Sequence, residues 1–268
     1  MRLLKLYTLL IWTQIRTQLQ YRASFLTNVV STFLVNGSYF FGLYLILERF
    51  KEIQGWTITE LAFVAGMAEM GFGMMDMIFS GFDPDFFSPF VRQGKFDQLL
   101  LRPVPISLQV LGSRFVMSRL GRILEGAILL AIGIGYAAPQ WTLWKTFYLP
   151  VVVASNVLGM GALFMAGATL TFWTIQPIEA VNIVTYGGNE VMSYPITIYP
   201  NWIRRFFTYI LPLAFLNYFP ALFFLGKPYP YNLPPILSFA APLAAGLMFF
   251  AAMKFWNYGR MHYQSTGT

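Results

Sequence analysis

The chain has 268 residues, of which 57% are hydrophobic and 11% are charged. Soluble domains carry about 25% charged residues, so this composition excludes an ordinary soluble protein and predicts an integral membrane protein. The net charge of +7 indicates membrane topology rather than nucleic-acid binding, because the basic residues lie at the ends of apolar runs. The chain contains no cysteine, which excludes disulfides and thiol chemistry.

Residues 1–24 predict an amphipathic helix that lies in the membrane interface. Its apolar face is formed, at helical spacing, by Leu4, Tyr7, Ile11, Ile15 and Leu19. Basic and polar side chains occupy another face, which would turn toward lipid phosphates. The alternative is that this helix continues the first membrane span into the cytosol.

Six apolar runs are predicted to cross the membrane as helices, since about 20 residues span a bilayer. They cover residues 25–47, 61–82, 106–138, 147–172, 178–192 and 235–256. With the amino terminus inside, most of the 18 Lys and Arg residues fall on the inner side, in agreement with the positive-inside rule. The sequence therefore predicts a multi-pass protein of a bacterial or archaeal plasma (inner) membrane, with both termini in the cytoplasm.

Residues 83–105 form a polar segment between the second and third apolar runs. Ser88 and Pro89 are typical of a helix start, Gly94 is typical of a helix end, and Pro103 stops the next helix. The segment is predicted to hold two short helices that meet at the glycine. Leucines at positions 99–101 would each cost roughly 1.5–3 kcal/mol in water, which favours docking onto a soluble partner.

Residues 193–234 are apolar but are interrupted by prolines. The piece between Trp202 and Leu225 has about the length of a span, yet Pro212 and Pro220 divide it. Broken helices are tolerated in lipid only where protein or a cavity covers the freed backbone groups. The pattern predicts a re-entrant helical hairpin on the outer side, the alternative being one more kinked span. The charge distribution favours the hairpin, because a further span would carry the basic tail outside.

Three stretches of the chain resemble a known family. The run Gly94-Lys-Phe-Asp-Gln-Leu-Leu-Leu-Arg-Pro-Val104 resembles the G-x-hydrophobic-acidic-x-L-L-x-x-P segment of ABC type-2 permeases, the membrane subunits of one class of ABC exporter. Tyr194-Pro195, Tyr199-Pro-Asn-Trp202 and Leu211-Pro212 resemble that family's later proline pattern. The tail from Tyr258 to Gly267 is similar to the ending of a less-characterised branch that tends to be encoded as paired permeases.

The resemblance covers nearly the whole chain and implies both a fold and partners. The fold would be all-α, a single permease domain over residues 1–268, with an interfacial elbow helix, six spans and a re-entrant pair before the last span. The partners would be a dimer of ABC ATPase subunits and a second permease subunit, either identical or a sister protein. ATP and magnesium would then be held by the ATPase, and no cofactor is expected in this chain.

The resemblance also implies that residues around 88–102 form the coupling helix, which sits in a groove of the ATPase. On this basis the residues expected to contact the ATPase are Phe90, Val91, Arg92, Phe96, Asp97, Leu100 and Arg102.

Motifs for chemistry within the chain itself are not found in the sequence. There is no G-x-x-x-x-G-K-[ST] loop to cradle nucleotide phosphates, so ATP would be hydrolysed by a separate subunit. With one histidine, His262, in the tail, neither a catalytic triad nor a metal site is expected. The chain is therefore predicted to be a transport subunit rather than an enzyme.

Acidic residues within the apolar runs are candidates for function, because they usually face a bundle interior or water. The candidate pathway residues are Glu69, Asn189 and Glu190. Glu125 follows Arg122 by three positions and is expected to pair with it on one helix face. Asp76 is expected to be wetted near the cytoplasmic end of its span.

Two other functions remain open at this point. One is an ion-coupled secondary transporter with Glu69 or Glu190 as its proton site, although no inverted repeat relates the two halves. The other is a membrane enzyme that acts on lipids, for which no catalytic constellation is found. The leading hypothesis is an exporter permease for a hydrophobic or amphipathic substrate such as a lipid, a peptide or a drug-like molecule.

Overall fold

The computed structural model describes residues 2–137, 140–174, 179–230 and 233–264, and these form an all-α protein with one short β-hairpin. In chain order the helices are α1 (Arg2–Gln20), α2 (Arg22–Phe50), α3 (Ile58–Ile78), α4 (Pro84–Arg92), α5 (Lys95–Leu100), α6 (Ile106–Ser113), α7 (Leu120–Ala137), α8 (Leu143–Thr174), α9 (Glu179–Met192), α10 (Asn201–Arg205), α11 (Leu213–Leu216), α12 (Tyr218–Leu225) and α13 (Ala241–Met261). Short 3₁₀ or π turns lie at Ser80–Phe82, Met117–Arg119, Ile196–Ile198, Phe206–Ile210 and Pro235–Phe239. The predicted all-α class is confirmed.

The β-hairpin between α2 and α3 leads directly into a capped start of helix α3. Strand β1 (Glu52–Ile53) pairs antiparallel with β2 (Trp56–Thr57). Thr57 then caps α3 in a capping box: its hydroxyl accepts from the Glu60 N–H, and the Glu60 carboxylate accepts from the Thr57 N–H at 2.8 Å. This reciprocal pairing satisfies backbone donors that a helix start leaves open, so α3 begins at a defined residue.

The amphipathic amino-terminal stretch is divided at Tyr21, which separates α1 from α2. Helix α1 lies against the chain that follows α6. The Gln14 side-chain amide donates to the Ser113 carbonyl at 3.2 Å, and the Gln18 side-chain oxygen accepts from the Met117 N–H at 2.9 Å. Helix α1 is therefore an element in its own right, tied by polar side chains to the entrance of α7.

Helix α3 is the centre of the bundle, with most of its side chains buried; α7 and α8 pack along it and α13 packs along α8. Glycines let α3 and α7 touch backbone to backbone. A Cβ added to Gly66 would lie 2.5 Å from the Leu130 nitrogen, and one added to Gly126 would lie 2.4 Å from the Met70 nitrogen. Close approach through small residues is typical of membrane bundles.

Three helical stretches in the described part of the chain are long and apolar enough to cross a membrane: Ile58–Ile78, Met117–Ala137 and Leu143–Thr174. Helices α2 and α13 have 29 and 21 residues, which is enough length for a span. Helix α9, within the predicted fifth span, has 14 residues and rises only about 21 Å. The six-span topology therefore stays a prediction.

Residues 201–225, between α9 and α13, form a broken helical stretch, the bent segment. The stretches Asn201–Ile210 and Leu213–Leu225 are bent by 73° at the break between them. The end of the second stretch lies beside the β-hairpin and the start of α8. There the Lys227 ammonium lies 2.9 Å from the Glu60 carboxylate, and Lys145 Nζ donates to the Phe224 carbonyl at 2.8 Å.

Asn217, between α11 and α12, connects the bent segment to the helices around it. Its buried side-chain amide donates to the Met192 carbonyl at 2.8 Å and to the Val64 carbonyl at 3.0 Å. Asn156 of α8 donates in turn to the Asn217 side-chain oxygen at 3.2 Å. Buried polar groups of a broken helix need such partners in lipid. The side chains of Asn156 and Asn217 thus join α3, α8 and α9 to the bent segment.

Candidate functional site

A series of ion pairs connects α3 and the turn after it to the chain that enters α7. Acidic residues lie opposite arginines in the order Glu69–Arg122, Asp76–Arg119 and Asp83–Arg114. Glu69 and Asp76 are seven residues apart on α3, about two helical turns, and so lie on one side of it, whereas Asp83 lies beyond the end of α3. Arg119 Nε lies 2.7 Å from Asp76 Oδ2, whereas Arg114 Nη1 and Asp83 Oδ2 are 3.8 Å apart. The expectation that Asp76 is wetted is wrong, since it is 2% exposed and its charge is neutralised by Arg119.

Glu69 is the acid of this series that has the most side-chain partners, and it is buried. The Arg122 guanidinium donates to one carboxylate oxygen of Glu69. The other oxygen accepts from Asn189 Nδ2 at 3.0 Å and from Ser193 Oγ at 3.0 Å. Arg122 also lies 4.3 Å above the ring of Phe72, a favourable cation–π distance. Two of the predicted pathway residues, Glu69 and Asn189, are thus brought into direct contact.

Glu125 has a different partner pattern from the one expected. The predicted Arg122–Glu125 ion pair is wrong, because Arg122 turns across the helix interface to Glu69. Glu125 is 5% exposed, and its Oε2 has no hydrogen-bond partner among the described residues. Its carboxylate lines a small cleft together with Glu69 and Glu190, the third predicted pathway residue. The Glu190 side chain is exposed, so it lies at the mouth of this cleft and Glu125 at its base.

The polar segment, residues 83–105, contains two short helices, α4 and α5, that meet at Gly94, as predicted. Gly94 has φ 66°, the left-handed region that glycine enters without strain. The predicted helix start at Ser88 and Pro89 is wrong, because α4 already begins at Pro84. Asp83 caps it: its carboxylate accepts from the Asp85 N–H at 3.1 Å. Burial raises the pKa of Asp83, and this hydrogen bond only partly offsets the effect.

Two of the residues predicted to contact an ATPase lie inside the chain. Phe96 and Val91 are 0% and 1% exposed, so they cannot present a surface to a partner in this conformation. The Phe96 ring packs 4.8 Å from the ring of Tyr263 and 5.0 Å from that of Phe172. Phe96 therefore anchors α5 to the ends of α8 and α13.

The exposed part of the segment lies at the end of α5. Leu100 and Leu101 are 46% and 85% exposed, and Arg92 and Arg102 are exposed as well. Phe90 and Asp97, also predicted contacts, are half-buried. Beneath this surface Gln109 Nε2 donates to the Val104 carbonyl at 2.9 Å, which fixes the loop into α6. The outward face of the segment is thus a pair of leucines flanked by arginines.

Several residues of these sites were not identified from the sequence. Ser193, Arg119, Asn156 and Asn217 carry no motif, and their partners come from distant parts of the chain. One usable signal was the seven-residue repeat of acids at 69, 76 and 83. In the described part of the chain no group of three His, Cys, Asp or Glu side chains is arranged to hold a metal ion.

The chain was compared with known proteins. The family model described as "ABC-2 family transporter protein" matches residues 33–267. No curated protein and no solved structure matches the chain.

Proposed function

This chain belongs to the ABC-2 family of transporter proteins, and we propose that it is a permease subunit that exports a hydrophobic or amphipathic substrate, driven by a separate ABC ATPase. The family match over residues 33–267 carries this proposal. Members of this family are membrane permeases that associate with an ABC ATPase, so the chain is a multi-pass transport protein. We propose further that it lies in a bacterial or archaeal plasma membrane with both termini inside.

The proposed ATPase-docking face consists of the exposed end of the coupling segment: Arg92, Leu100, Leu101 and Arg102. Leu101 is 85% exposed, and its burial against a partner would contribute roughly 1.5–3 kcal/mol. The flanking arginines would pair with acidic groups of the partner, a common source of orientation at interfaces. This revises the earlier set of contacts, since Phe96 and Val91 support the face from beneath.

The packing beneath the docking face supports a route for mechanical coupling. The Phe87 ring lies 5.6 Å from that of Phe172 in α8 and 5.5 Å from that of Trp256 in α13. The Asp83–Arg114 pair joins the same region to the chain entering α7. A displacement of α4 and α5 by the ATPase would therefore move the cytoplasmic ends of several long helices together.

We assign the pathway to the side of the bundle where Glu69, Asn189 and Glu190 lie. A second permease subunit, identical or a sister, would enclose this side. The bent segment between α9 and α13 would be a re-entrant hairpin on the outer surface. The chain after its end contacts the turn of the β-hairpin, where Lys227 Nζ donates to the Gly55 carbonyl at 2.7 Å, and this favours a re-entrant hairpin over a complete span.

The docking proposal is tested with Leu100→Asp and Leu101→Asp in the full-length chain. Each variant is purified by affinity from native membranes, and the ATPase activity that co-purifies is compared with that of the wild-type chain. We expect this activity to fall at least about tenfold, because a charge would be buried in an apolar contact. Leu143→Asp is the matched control, since Leu143 is 74% exposed at the start of α8. Wild-type retention by both docking variants, or no ATPase with the wild-type chain, would contradict the proposal.

An ion-coupled secondary transporter is the alternative function. It is supported by Glu125 Oε2, which is buried and has no hydrogen-bond partner among the described residues. In that case the chain alone, reconstituted in vesicles with a proton gradient, would accumulate solute without ATP. The proposed function expects no uphill transport until the ATPase and ATP are supplied.

A further inference from the structure

The cleft that contains Glu125 carries more negative than positive charge. Glu69 and Glu190 are the acidic groups that act electrostatically on Glu125, and Arg122 is the basic one. Arg122 is already bound to Glu69. Two carboxylates thus have no cation of their own among the described residues that line the cleft. Charged groups buried without partners are costly, so the cleft favours either a proton on Glu125 or a positive group from outside the chain.

The shape of the cleft restricts what that group can be. Glu125 lies at the base with an unpartnered oxygen, 5% exposed, and Glu190 lies at the mouth. The rings of Tyr39, Phe40 and Tyr194 line the wall, and aromatic faces attract cations. The free volume is about 30 Å³, close to that of one water molecule.

These features favour an ammonium group over a metal ion. No three acidic, histidine or cysteine side chains of the described residues converge as a metal site. An ammonium group carries three N–H donors and is about as small as a water molecule, so it fits this space. The exposed apolar face of α2, which includes Leu34 and Val35, offers a path for an attached hydrocarbon chain.

We propose that this cleft binds the primary ammonium group of an amphipathic substrate. Glu125 accepts a hydrogen bond from the ammonium, and Glu190 attracts the amine to the mouth. The inference rests on the proposed function, since it names the substrate class of the same permease. It also gives a role to Glu125, which makes no hydrogen bond through Oε2 within the described structure.

The test measures binding of dodecylamine to the full-length chain in lipid nanodiscs at pH 7, where an alkyl amine is protonated. Dodecanol serves as the uncharged probe of equal length, and empty nanodiscs correct for partition into lipid. We expect the wild-type chain to bind dodecylamine at least about tenfold more tightly than dodecanol. Glu125→Gln is expected to remove most of that preference, because it removes the charge-assisted hydrogen bond to the ammonium.

Two further variants make the result decisive. Glu190→Gln changes an exposed side chain, so it tests the mouth of the cleft even if Glu125→Gln fails to fold. Glu179→Gln removes an exposed carboxylate outside the cleft and is expected to bind both probes as the wild-type chain does. Equal affinity of the wild-type chain for dodecylamine and dodecanol would overturn the inference. So would an unchanged amine preference in both Glu125→Gln and Glu190→Gln.

Proton binding in place of an amine would appear as a separate outcome. The chain would then show no amine preference at pH 7, and Glu125→Gln would alter only a proton-dependent signal, which overturns the ammonium assignment. Because binding is measured on the chain alone, it is independent of ATPase co-purification. A chain that binds the amine but recruits no ATPase would contradict the proposed function and not the cleft.

Discussion

Through its carboxylate, Glu69 binds side chains of two other helical elements. It accepts from Arg122 of α7 on one oxygen and from Asn189 of α9 and the adjacent Ser193 on the other. A buried ion pair of this kind adds little net stability over an apolar replacement, yet removing one partner strands a charge. Its main effect is to fix how α3, α7 and α9 are oriented.

Arg122→Met is expected to destabilise the protein by about 3–5 kcal/mol, because the Glu69 charge would stay buried without a cation. The measurement is the thermal unfolding midpoint in detergent. Adding Glu69→Gln to this variant is expected to restore much of the loss.

Arg114→Met is the control for this change. The Arg114 side chain is 38% exposed, and its Nη1 lies 3.8 Å from Asp83 Oδ2. Because this contact is longer and partly open to solvent, which weakens an ion pair, its loss is expected to cost less than the loss of Arg122. Equal losses for Arg122→Met and Arg114→Met would show that burial of the Glu69 pair has no special role.

Sequence spacing found the right residues here but paired them wrongly. Arg122 and Glu125 are three positions apart, and local spacing predicts their contact. The actual partner of Arg122 is 53 residues away, on a helix whose rotation is set by packing. The choice between a near and a distant carboxylate depends on that rotation, which a single sequence does not encode locally.

Among the helices, α3 and α7 form the closest pair. Gly66 and Gly126 allow their backbones to meet, and Gly133 does the same against the Phe63 backbone. The contact explains why α3 tolerates two buried acidic residues, Glu69 and Asp76: its neighbour α7 and the turn before α7 supply the arginines.

Gly126→Ala is expected to lower the unfolding midpoint and the yield of monodisperse protein, because the new Cβ would lie 2.4 Å from the Met70 nitrogen. Gly135→Ala on the same helix has no atom within 4 Å of the added carbon. It is expected to be neutral or to stabilise by up to about 1 kcal/mol, since alanine favours helix. If both variants behaved alike, the backbone contact would have no energetic role.

Element-level predictions succeeded where a local signal sufficed. The two helices around Gly94 follow from that glycine and the flanking prolines. The start of α4 was predicted at the wrong residue because both Asp83-Pro84 and Ser88-Pro89 are good helix starts. The contact of Asp83 with the distant Arg114, which favours the first of them, is not visible in the local sequence. The burial of Phe96 was missed because its neighbours, Phe172 and Tyr263, come from helices far away in sequence.

At the scale of the whole molecule, the membrane topology can be tested with single cysteines, because the chain itself contains none. Single-cysteine variants Leu101→Cys, Leu143→Cys and Ile236→Cys place a thiol at sites that are 70–85% exposed. A membrane-impermeant maleimide is expected to label positions 143 and 236 in intact cells and position 101 only after lysis. The cysteine-free parent gives the background.

The same experiment distinguishes a re-entrant hairpin from a complete span in the bent segment. Labelling of position 236 together with position 101, and not with 143, would show that residues 201–225 complete a span. The predicted re-entrant hairpin and the cytoplasmic carboxyl terminus would then both be wrong.

The series of ion pairs also limits how the protein can move. The acids recur every seven residues, whereas the arginines are separated by five and then three positions. A sliding of α3 by one repeat along α7 and the turn before it would separate Glu69 from Arg122 and Asp76 from Arg119. We therefore expect α3 and α7 to keep one register and to move as a unit during transport, while other helices move around them.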